Sequence, residues 1–399
     1  MESLETSEVV DKVVRVKAIC WTRRKVIGIT TIMILLVILG VVLGTQITKT
    51  EIQKGEKIID NNKTERWKDN IRLPTALTPN LYTIALDIDM EKENFNGSAK
   101  LNITVVKSTD TIVVHANKID IDSFQVFSND GTEVKVLKRF PYPKFHFYVA
   151  QLRENLTAGR MYNIKTTYNG SISRTSLNGL YINTYKDVRG ATKKIASTFL
   201  HPVSAREILP CFDEPQMKAE FLLTLSYQRN YTAVANTKVA SEKPVGKDRR
   251  RTSFKKTVKM SSYLLCFAVS EYRYLTNDDS NLEVRTYSKS ENVVKTQDAL
   301  NFATSLLPYL ENFYGVKYPL EKLDLMAVPS LSAGAMENWG LITFRMNKLV
   351  LTRRADRKNK YTILRIVAHE LAHMWFGNLV TMKWWDDSWL NEGNVSKFD

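Results

Sequence analysis

The chain carries, at residues 361–376, the stretch "YTILRIVAHELAHMWF". Its apolar residues recur with the spacing of a helix rather than the alternation of a strand: Ile363, Ile366, Val367 and Leu371. On a helix, His369 and His373 are separated by one turn, so both imidazoles project from the same face. The stretch therefore predicts a helix that offers two nitrogen ligands to one metal ion.

The residues that follow supply the rest of a metal centre. Glu392 lies beyond an eighteen-residue gap after His373, in "WLNEGNVSKF", which is predicted to begin a second helix. A His, His, Glu set leaves the fourth position of a zinc ion open for water, as in catalytic sites. Glu370, between the histidines, is then available as a general base. A chance H-E-x-x-H is expected about 0.003 times in such a chain, so zinc binding is favoured over histidines packed against Trp375 or Trp385.

Length and composition indicate a globular protein of more than one domain. The chain has 399 residues, of which 44% are hydrophobic and 25% charged. The net charge of +15 is scattered, with runs at 246–251 and 353–360 and no nucleic-acid recognition motif. Nucleic-acid binding is therefore not predicted; solvated loops are favoured, with an acidic partner or a glycan as the alternative. The cysteines are too few for a disulfide framework: Cys20, Cys211 and Cys266.

One segment departs from this composition. Residues 26–44, "VIGITTIMILLVILGVVLG", contain no charge and are long enough to cross a membrane as a helix, which fits better than a cleaved signal peptide. Basic residues precede the span, so residues 1–25 are predicted to be a cytosolic tail, in a single-pass type II protein of the plasma membrane whose part after the span is extracellular or lumenal. The polar residues 45–70 are predicted to form a stalk. Seven N-glycosylation sequons follow the span and agree with this topology: Asn62, Asn96, Asn102, Asn155, Asn169, Asn230 and Asn394.

The remainder predicts an α+β multidomain protein. From 71 to 271, apolar residues alternate in segments separated by turn formers, which predicts a mostly antiparallel β domain: "YTIALDIDM", "AKLNITVV", "TEVKVLK", "KFHFYVAQL", "EFLLTLSYQ" and "SSYLLCFAVSEYRYL". From 272 to 399 the pattern predicts a helix over 294–315 that ends at Gly315, then strands at "KLDLMAVP" and "GAMENWGLITF", then the histidine-bearing helix. This second region is predicted to be a separate α+β zinc domain.

A second constellation, "SAGAMENWG" at residues 332–340, precedes the predicted zinc helix. Gly334 and Ala335 are small enough for a substrate backbone to approach closely along an edge strand. Glu337 is not needed as a metal ligand; if it faces the zinc cleft, it would bind the α-ammonium group of a substrate. The alternative is an ordinary glutamate in a glycine-containing strand.

The chain resembles the zinc aminopeptidases of the membrane alanyl-aminopeptidase family, aminopeptidase N and its relatives. The resemblance is carried by "GAMENWG", then "HELAH", then a glutamate eighteen residues later, and it extends back through "PCFDEP" at residues 210–215. It implies an N-terminal transmembrane helix, an antiparallel β-sandwich or saddle domain, and a thermolysin-like α+β zinc domain. It also implies one Zn²⁺ per chain, bound by His369, His373 and Glu392.

Other roles are implied by the same resemblance. Glu370 matches the general base, and Glu337 matches the glutamate that holds the substrate's α-amine. Three successive residues match the strand that hydrogen-bonds the substrate backbone: Gly334, Ala335 and Met336. Three tryptophans of the segment between the ligands are expected to pack and so set the angle between the two helices: Trp384, Trp385 and Trp389.

The chain also departs from the family pattern. Phe199 and His201 stand where the family usually has Gln and then Glu or Gln, and a protonated His201 in the substrate pocket would repel an ammonium ion. Ser330 and Leu331 replace common Asp and Phe. The sequence stops seven residues after Glu392, so the zinc domain is expected to be incomplete, without the family's later oxyanion-stabilising tyrosine.

The predicted function is a zinc metallo-aminopeptidase, a type II membrane ectoenzyme that removes N-terminal residues from peptides with a free N-terminus. The alternative is a catalytically impaired, membrane-anchored glycoprotein or truncated isoform whose zinc site is vestigial. A zinc endopeptidase is disfavoured by Glu337. The resemblance further implies a homodimer in the full-length form.

Overall fold

The computed structural model describes residues 66–277, 282–351 and 357–398. The predicted cytosolic tail, the predicted membrane span and residues 45–65 of the predicted stalk lie outside the described residues. Within the described ranges, none of the helices combines the length and the apolar character that crossing a membrane requires. Residues 66–69, which the sequence assigns to the stalk, instead belong to the fold, because Trp67 is buried against Phe140 and Tyr142.

The first part of the described chain is built from fifteen strands. In chain order they are β1 Leu77–Asp89, β2 Asn94–Val105, β3 Thr109–His115, β4 Ile119–Ser128, β5 Glu133–Val134, β6 Val136–Tyr142, β7 Phe147–Leu156, β8 Met161–Ser171, β9 Gly179–Lys186, β10 Thr192–Phe199, β11 Glu220–Gln228, β12 Thr232–Ala235, β13 Val239–Val245, β14 Arg249–Phe254 and β15 Phe267–Ser270. They form an eight-stranded sheet (β13-β14-β11-β1-β2-β8-β4-β5), a four-stranded sheet (β12-β15-β10-β9) and a three-stranded sheet (β3-β7-β6).

The predicted alternation explains why these segments are strands. In β1, from Tyr82 onward, every second side chain is buried and its neighbours face solvent or are half-buried: Tyr82, Ile84, Leu86 and Ile88 form the buried row. The predicted β-rich N-terminal domain is confirmed, and its strand pairs are antiparallel with one exception among the described residues. β1 pairs in parallel with β11, from Leu81 opposite Glu220 to Asp87 opposite Ser226.

The second part of the described chain contains five strands and three α-helices. They are β16 Arg273–Asn277, β17 Glu283–Ser288, α1 Gln297–Tyr314, β18 Lys322–Val328, β19 Ala335–Met336, β20 Leu341–Arg345, α2 Arg357–Ala372 and α3 Trp389–Val395. The sheet order is β16-β17-β18-β20-β19. The β17–β18 and β18–β20 pairs are parallel and the two outer pairs antiparallel. As predicted, α1 ends at Gly315, whose φ of 68° is left-handed.

Three predicted strands are wrong in detail. "GAMENWGLITF" is a hairpin of β19 and β20 around a turn at residues 337–340, not one strand. "TEVKVLK" divides into β5 and β6, which belong to different sheets. "SSYLLCFAVSEYRYL" divides into a 3-10 turn, β15 and β16, because Ser261 and Ser262 turn out of the ladder to donate hydrogen bonds to Pro215 O (2.6 Å) and Asp213 Oδ1 (2.7 Å).

Lys322 joins the N-terminal β domain to the second part of the chain. Its side chain is 1% exposed, and its Nζ donates to Ala235 O (2.6 Å), Gly340 O (2.6 Å) and Asp324 Oδ2 (2.7 Å). Asp324 also binds the Arg285 guanidinium at 2.7 and 3.0 Å. The buried ammonium therefore has a counter-ion and two carbonyl acceptors, one of them from each part of the chain.

Asn236 fixes the turn of the β19–β20 hairpin against the β domain. Its Nδ2 donates to Leu264 O and Trp339 O, both at 2.8 Å, and its Oδ1 accepts from Cys266 N at 2.8 Å. Gly340 has a φ of 86°, and a Cβ there would lie 2.1 Å from Asn236 O. Only glycine fits this contact, so the turn that carries Glu337 is held in one position.

Candidate metal centre

The structure brings the three predicted ligands together. His369 lies in the last turn of α2 and His373 directly follows the helix, and their Nε2 atoms are 3.1 Å apart; α3 presents Glu392 from the other side. Glu392 Oε2 lies 3.4 Å from His369 Nε2 and 3.7 Å from His373 Nε2. These are the three side chains whose ligand atoms could converge on one metal ion.

The arrangement fits a tetrahedral divalent cation. Bonds of 2.0–2.1 Å to a tetrahedral zinc place donor atoms about 3.3 Å apart, and the observed separations of 3.1, 3.4 and 3.7 Å bracket that distance. His373 Nδ1 lies 2.9 Å from Phe376 O. Because a carbonyl only accepts, Nδ1 carries a proton, and Nε2 is the ring nitrogen that faces Glu392 and His369.

The electrostatics of the site favour a cation. Burial opposes protonation of His373, but the carboxylates of Glu337, Glu392 and Glu370 outweigh it and raise its pKa to about 10. Hydrogen bonds from His369 and His373 hold the pKa of Glu392 far below its usual range. Three carboxylates thus surround two imidazoles, and a metal ion would take the place of the proton that they attract.

Glu370 is a buried carboxylate without a described partner. Glu370 directly follows His369 in α2 and is 6% exposed. Its Oε2 atom has no hydrogen-bond partner among the described residues. Burial, then the charge of Glu337, raises its pKa to about 8. A buried oxygen of this kind is costly unless water, an ion or a ligand satisfies it, so Glu370 is available for chemistry.

The predicted substrate strand lies at the edge of its sheet. Ala335 and Met336 form β19 and pair with Phe344 and Thr343, and the outer edge of β19 has no strand partner in the described ranges. A Cβ on Gly334 would meet nothing within 4 Å, so the space beside it is open. Glu337 follows directly, is buried, and its carbonyl accepts from Asn378 Nδ2 at 2.8 Å. This bond ties the edge strand to the turn after α2.

His201 lies in an aromatic cluster. Its ring is 4.9 Å from that of Trp385, 5.5 Å from that of Tyr263 and 6.3 Å from that of Phe199, all edge-on. Trp385 belongs to the segment between the metal ligands. His201 is therefore placed beside that segment by ring contacts.

The expectation that the tryptophans pack between the two helices is wrong. Trp384 and Trp385 precede α3 and contact side chains of the β domain, while Trp389, the first residue of α3, is 64% exposed. The helix begins only at Trp389, so the other two tryptophans run along the neighbouring domain instead.

Two β-domain residues that hold the turn after α2 were not predicted from the sequence. Tyr263 donates from its hydroxyl to Gly377 O at 3.1 Å, and burial raises its pKa, so the phenol stays protonated. Lys218 Nζ donates to Asn378 O (3.0 Å) and Leu379 O (2.9 Å). Both residues lie far from the motif in sequence and belong to no recognisable pattern, so only the fold reveals them.

Comparison with known proteins agrees with this geometry. Residues 78–264 match the Peptidase M1 N-terminal domain, and residues 298–398 match the Peptidase family M1 domain. Glutamyl aminopeptidase of Bos taurus is 37% identical over 339 residues, which are 84% of this chain and 35% of the relative. Puromycin-sensitive aminopeptidase of Caenorhabditis elegans is 36% identical over 328 residues, 82% of this chain and 34% of the relative.

A third relative shows a similar level of identity. Endoplasmic reticulum aminopeptidase 1 of Mus musculus is 34% identical over 329 residues, 82% of this chain and 35% of the relative. The chain thus spans about a third of the length of the curated relatives it matches. Two family models match in succession, and the β-rich domain is followed by a helix with H-E-x-x-H. The chain therefore belongs to peptidase family M1.

Proposed function

We propose that this chain carries the zinc centre of an aminopeptidase. The observation that supports this most strongly is the convergence of His369, His373 and Glu392 at tetrahedral separations, with the buried Glu370 beside them. The three converging side chains would hold Zn²⁺. When bound, Zn²⁺ supplies Lewis acidity that polarises a carbonyl and makes water more acidic.

Glu370 is the proposed general base. Its carboxylate accepts a proton from the attacking water, and it then donates this proton to the leaving amine as the C–N bond breaks. A nearby dication favours the charged carboxylate, which opposes the effect of burial on its pKa. Its unpartnered oxygen is available for this exchange.

Glu337 and β19 are proposed to make the enzyme an exopeptidase. A peptide added along the free edge of β19 would hydrogen-bond to the backbone of Gly334, Ala335 and Met336. Its α-ammonium group would then lie near the buried carboxylate of Glu337, whose charge acts on both Glu370 and His373. In this proposal the substrates are peptides with a free N-terminus, and His201 helps to line the pocket for the first residue.

We further propose the location predicted from the sequence, a type II anchor at residues 26–44 with the zinc centre outside the cell. The basic flank of the span and the sequons support it. Three of the sequon asparagines are exposed on the described surface: Asn96, Asn155 and Asn230.

The test is hydrolysis of an aminoacyl-arylamide by the full chain. We expect Glu370→Gln to reduce turnover about 10²–10⁴-fold while zinc remains bound, and Glu321→Gln, at an exposed glutamate, to leave turnover unchanged. An N-acetylated peptide should not be cleaved. Cleavage of that peptide would point to an endopeptidase, and zinc binding without any turnover would point to the impaired glycoprotein.

A further inference from the structure

The third metal ligand lies on the least supported element of the site. Helix α3 has seven residues, of which Asn391 and Val395 are buried. The Glu392 side chain is 60% exposed, against 22% for His369 and 2% for His373. So short and exposed a helix is marginal by itself, and other contacts have to fix where Glu392 points.

One such contact comes from the first described loop of the β domain. The guanidinium carbon of Arg72 lies 3.9 Å from the ring centroid of Trp384, which stacks the cation on the indole face. Trp384 lies five residues before α3 begins. Arg72 therefore contacts the segment that leads directly into the helix of Glu392.

Arg72 is itself held rigidly. Its Nε and Nη2 both donate to Glu214 Oε2, at 3.0 and 2.7 Å, and the other carboxylate oxygen accepts from Leu73 N at 2.6 Å. The Glu214 side chain is fully buried. A guanidinium fixed by two hydrogen bonds to one buried carboxylate keeps its plane, so it offers Trp384 a preformed surface.

The next residue is held from the same domain. The Trp385 ring is 5.1 Å from that of Tyr263 and 4.9 Å from that of His201. At the other end of the segment, Tyr263 donates to Gly377 O. The link between His373 and α3 is therefore attached to the β domain at both ends. Among the described residues, Arg72 is the cation that lies on an aromatic face of this link.

We propose that Arg72 is a positioning residue for the metal ligand Glu392, acting through Glu214 on one side and Trp384 on the other. This rests on the proposed function, because it assumes that the site binds zinc. The contact between Arg72 and Trp384 orders residues 385–392 when the protein folds. Glu392 is then already in place when zinc arrives, so zinc binds more tightly than it would to a disordered segment.

The experiment measures zinc affinity of the full chain by competition with a chromophoric chelator. We expect Arg72→Ala to raise the Kd for zinc about 10- to 100-fold, the range typical of residues that orient a metal ligand. Arg72→Lys, which keeps the charge but loses the planar fork, should fall between. Arg174→Ala is the matched control, since Arg174 also pairs with a glutamate, Glu93, but its side chain is 62% exposed; its Kd should equal that of the parent.

A double-mutant cycle separates positioning from general destabilisation. If Arg72 acts through Glu392, then Arg72→Ala has no further effect on zinc affinity in a Glu392→Ala background. In the metal-free protein, hydrogen exchange should rise at residues 384–392 and stay unchanged in the strands of the β domain. If Arg72→Ala fails to fold, Trp384→Leu removes the same contact from the other side.

Three results would count against the positioning role of Arg72, and a fourth would count against the zinc centre. Zinc bound equally by the parent and by Arg72→Ala, additive effects in the cycle, or faster exchange throughout the β domain would overturn the positioning role and leave the zinc centre standing. A parent chain that binds no zinc would overturn the zinc centre itself, and the role of Arg72 with it.

Discussion

The two sides of the metal centre are built differently. On one side, α2 has sixteen residues, and its inner face is buried in the core through Ile363, Val367 and Leu371. His373 is almost fully buried there, and its Nδ1 is held by a carbonyl. On the other side, Glu392 is mostly exposed on the short α3, and the segment before it lies against the β domain.

The difference shows which part of the site each domain controls. The histidines are fixed by their own helix and its core, so their geometry is local. The glutamate is fixed by contacts that begin in the β domain, so its geometry is remote. The β domain is thus part of the proposed metal centre even though it supplies no ligand among the described residues.

The largest effect on stability is expected at Lys322, which joins the β domain to the second part of the chain. Lys322→Met removes the buried ammonium that joins Ala235, Gly340 and Asp324, and it should lower the free energy of unfolding by about 3–5 kcal/mol. Denaturant unfolding measures this. Lys255→Met, at an exposed pair with Glu321, is the control and should cost under about 1 kcal/mol. A loss at Lys322 no larger than that of the control would mean that the two parts of the chain are not joined there.

Alanine substitutions at His373 and at Glu392, on the two sides of the proposed metal centre, should reduce zinc affinity by different amounts. His373→Ala should weaken zinc binding by more than the roughly 100-fold upper range of residues that only orient ligands, and Glu392→Ala should weaken it less. The reason is that His373 is preformed and buried, while Glu392 is mostly exposed to water. Chelator competition measures the zinc affinity of both variants. A greater loss of affinity in Glu392→Ala would mean that the glutamate, and not the buried histidine, contributes more to zinc binding.

The pH dependence should follow His373. In the metal-free protein its pKa is raised to about 10 from an ordinary value of about 6.5. This contribution to stability is therefore fully present below pH 6.5 and is lost as pH rises toward 10. Zinc must displace the proton, so its affinity should rise over the same window, with proton release measurable by calorimetry. The absence of proton release at about pH 8, where an imidazole of ordinary pKa is already neutral, would show that His373 is neutral before zinc binds.

The smallest effect is expected at Trp389. Its side chain is 64% exposed on α3, so Trp389→Ala should change the free energy of unfolding by no more than about 0.5 kcal/mol. Zinc affinity should stay within twofold of the parent, in contrast to Trp384→Leu. A large loss at Trp389 would mean that α3 is positioned by its own exposed face and not through the segment before it.

The parts of the site that are local in sequence could be predicted. The spacing of His369 and His373 specifies one helical face, and the alternation in β1 specifies a half-buried strand, because both patterns arise from neighbouring residues. Contacts between distant residues could not be predicted. Arg72 and Trp384 carry no pattern that links them, and the hairpin turn at Gly340 depends on the carbonyl of Asn236, which no local rule supplies.

The parallel pairing of β1 with β11 has a consequence for how the protein is made. β1 leaves the ribosome long before residues 220–228, which at about 5–20 residues per second is a delay on the order of ten seconds. Throughout that delay one edge of a hydrophobic central strand has no partner and could pair with other nascent chains. The yield of this protein should therefore depend on chaperones that cover such edges during translation.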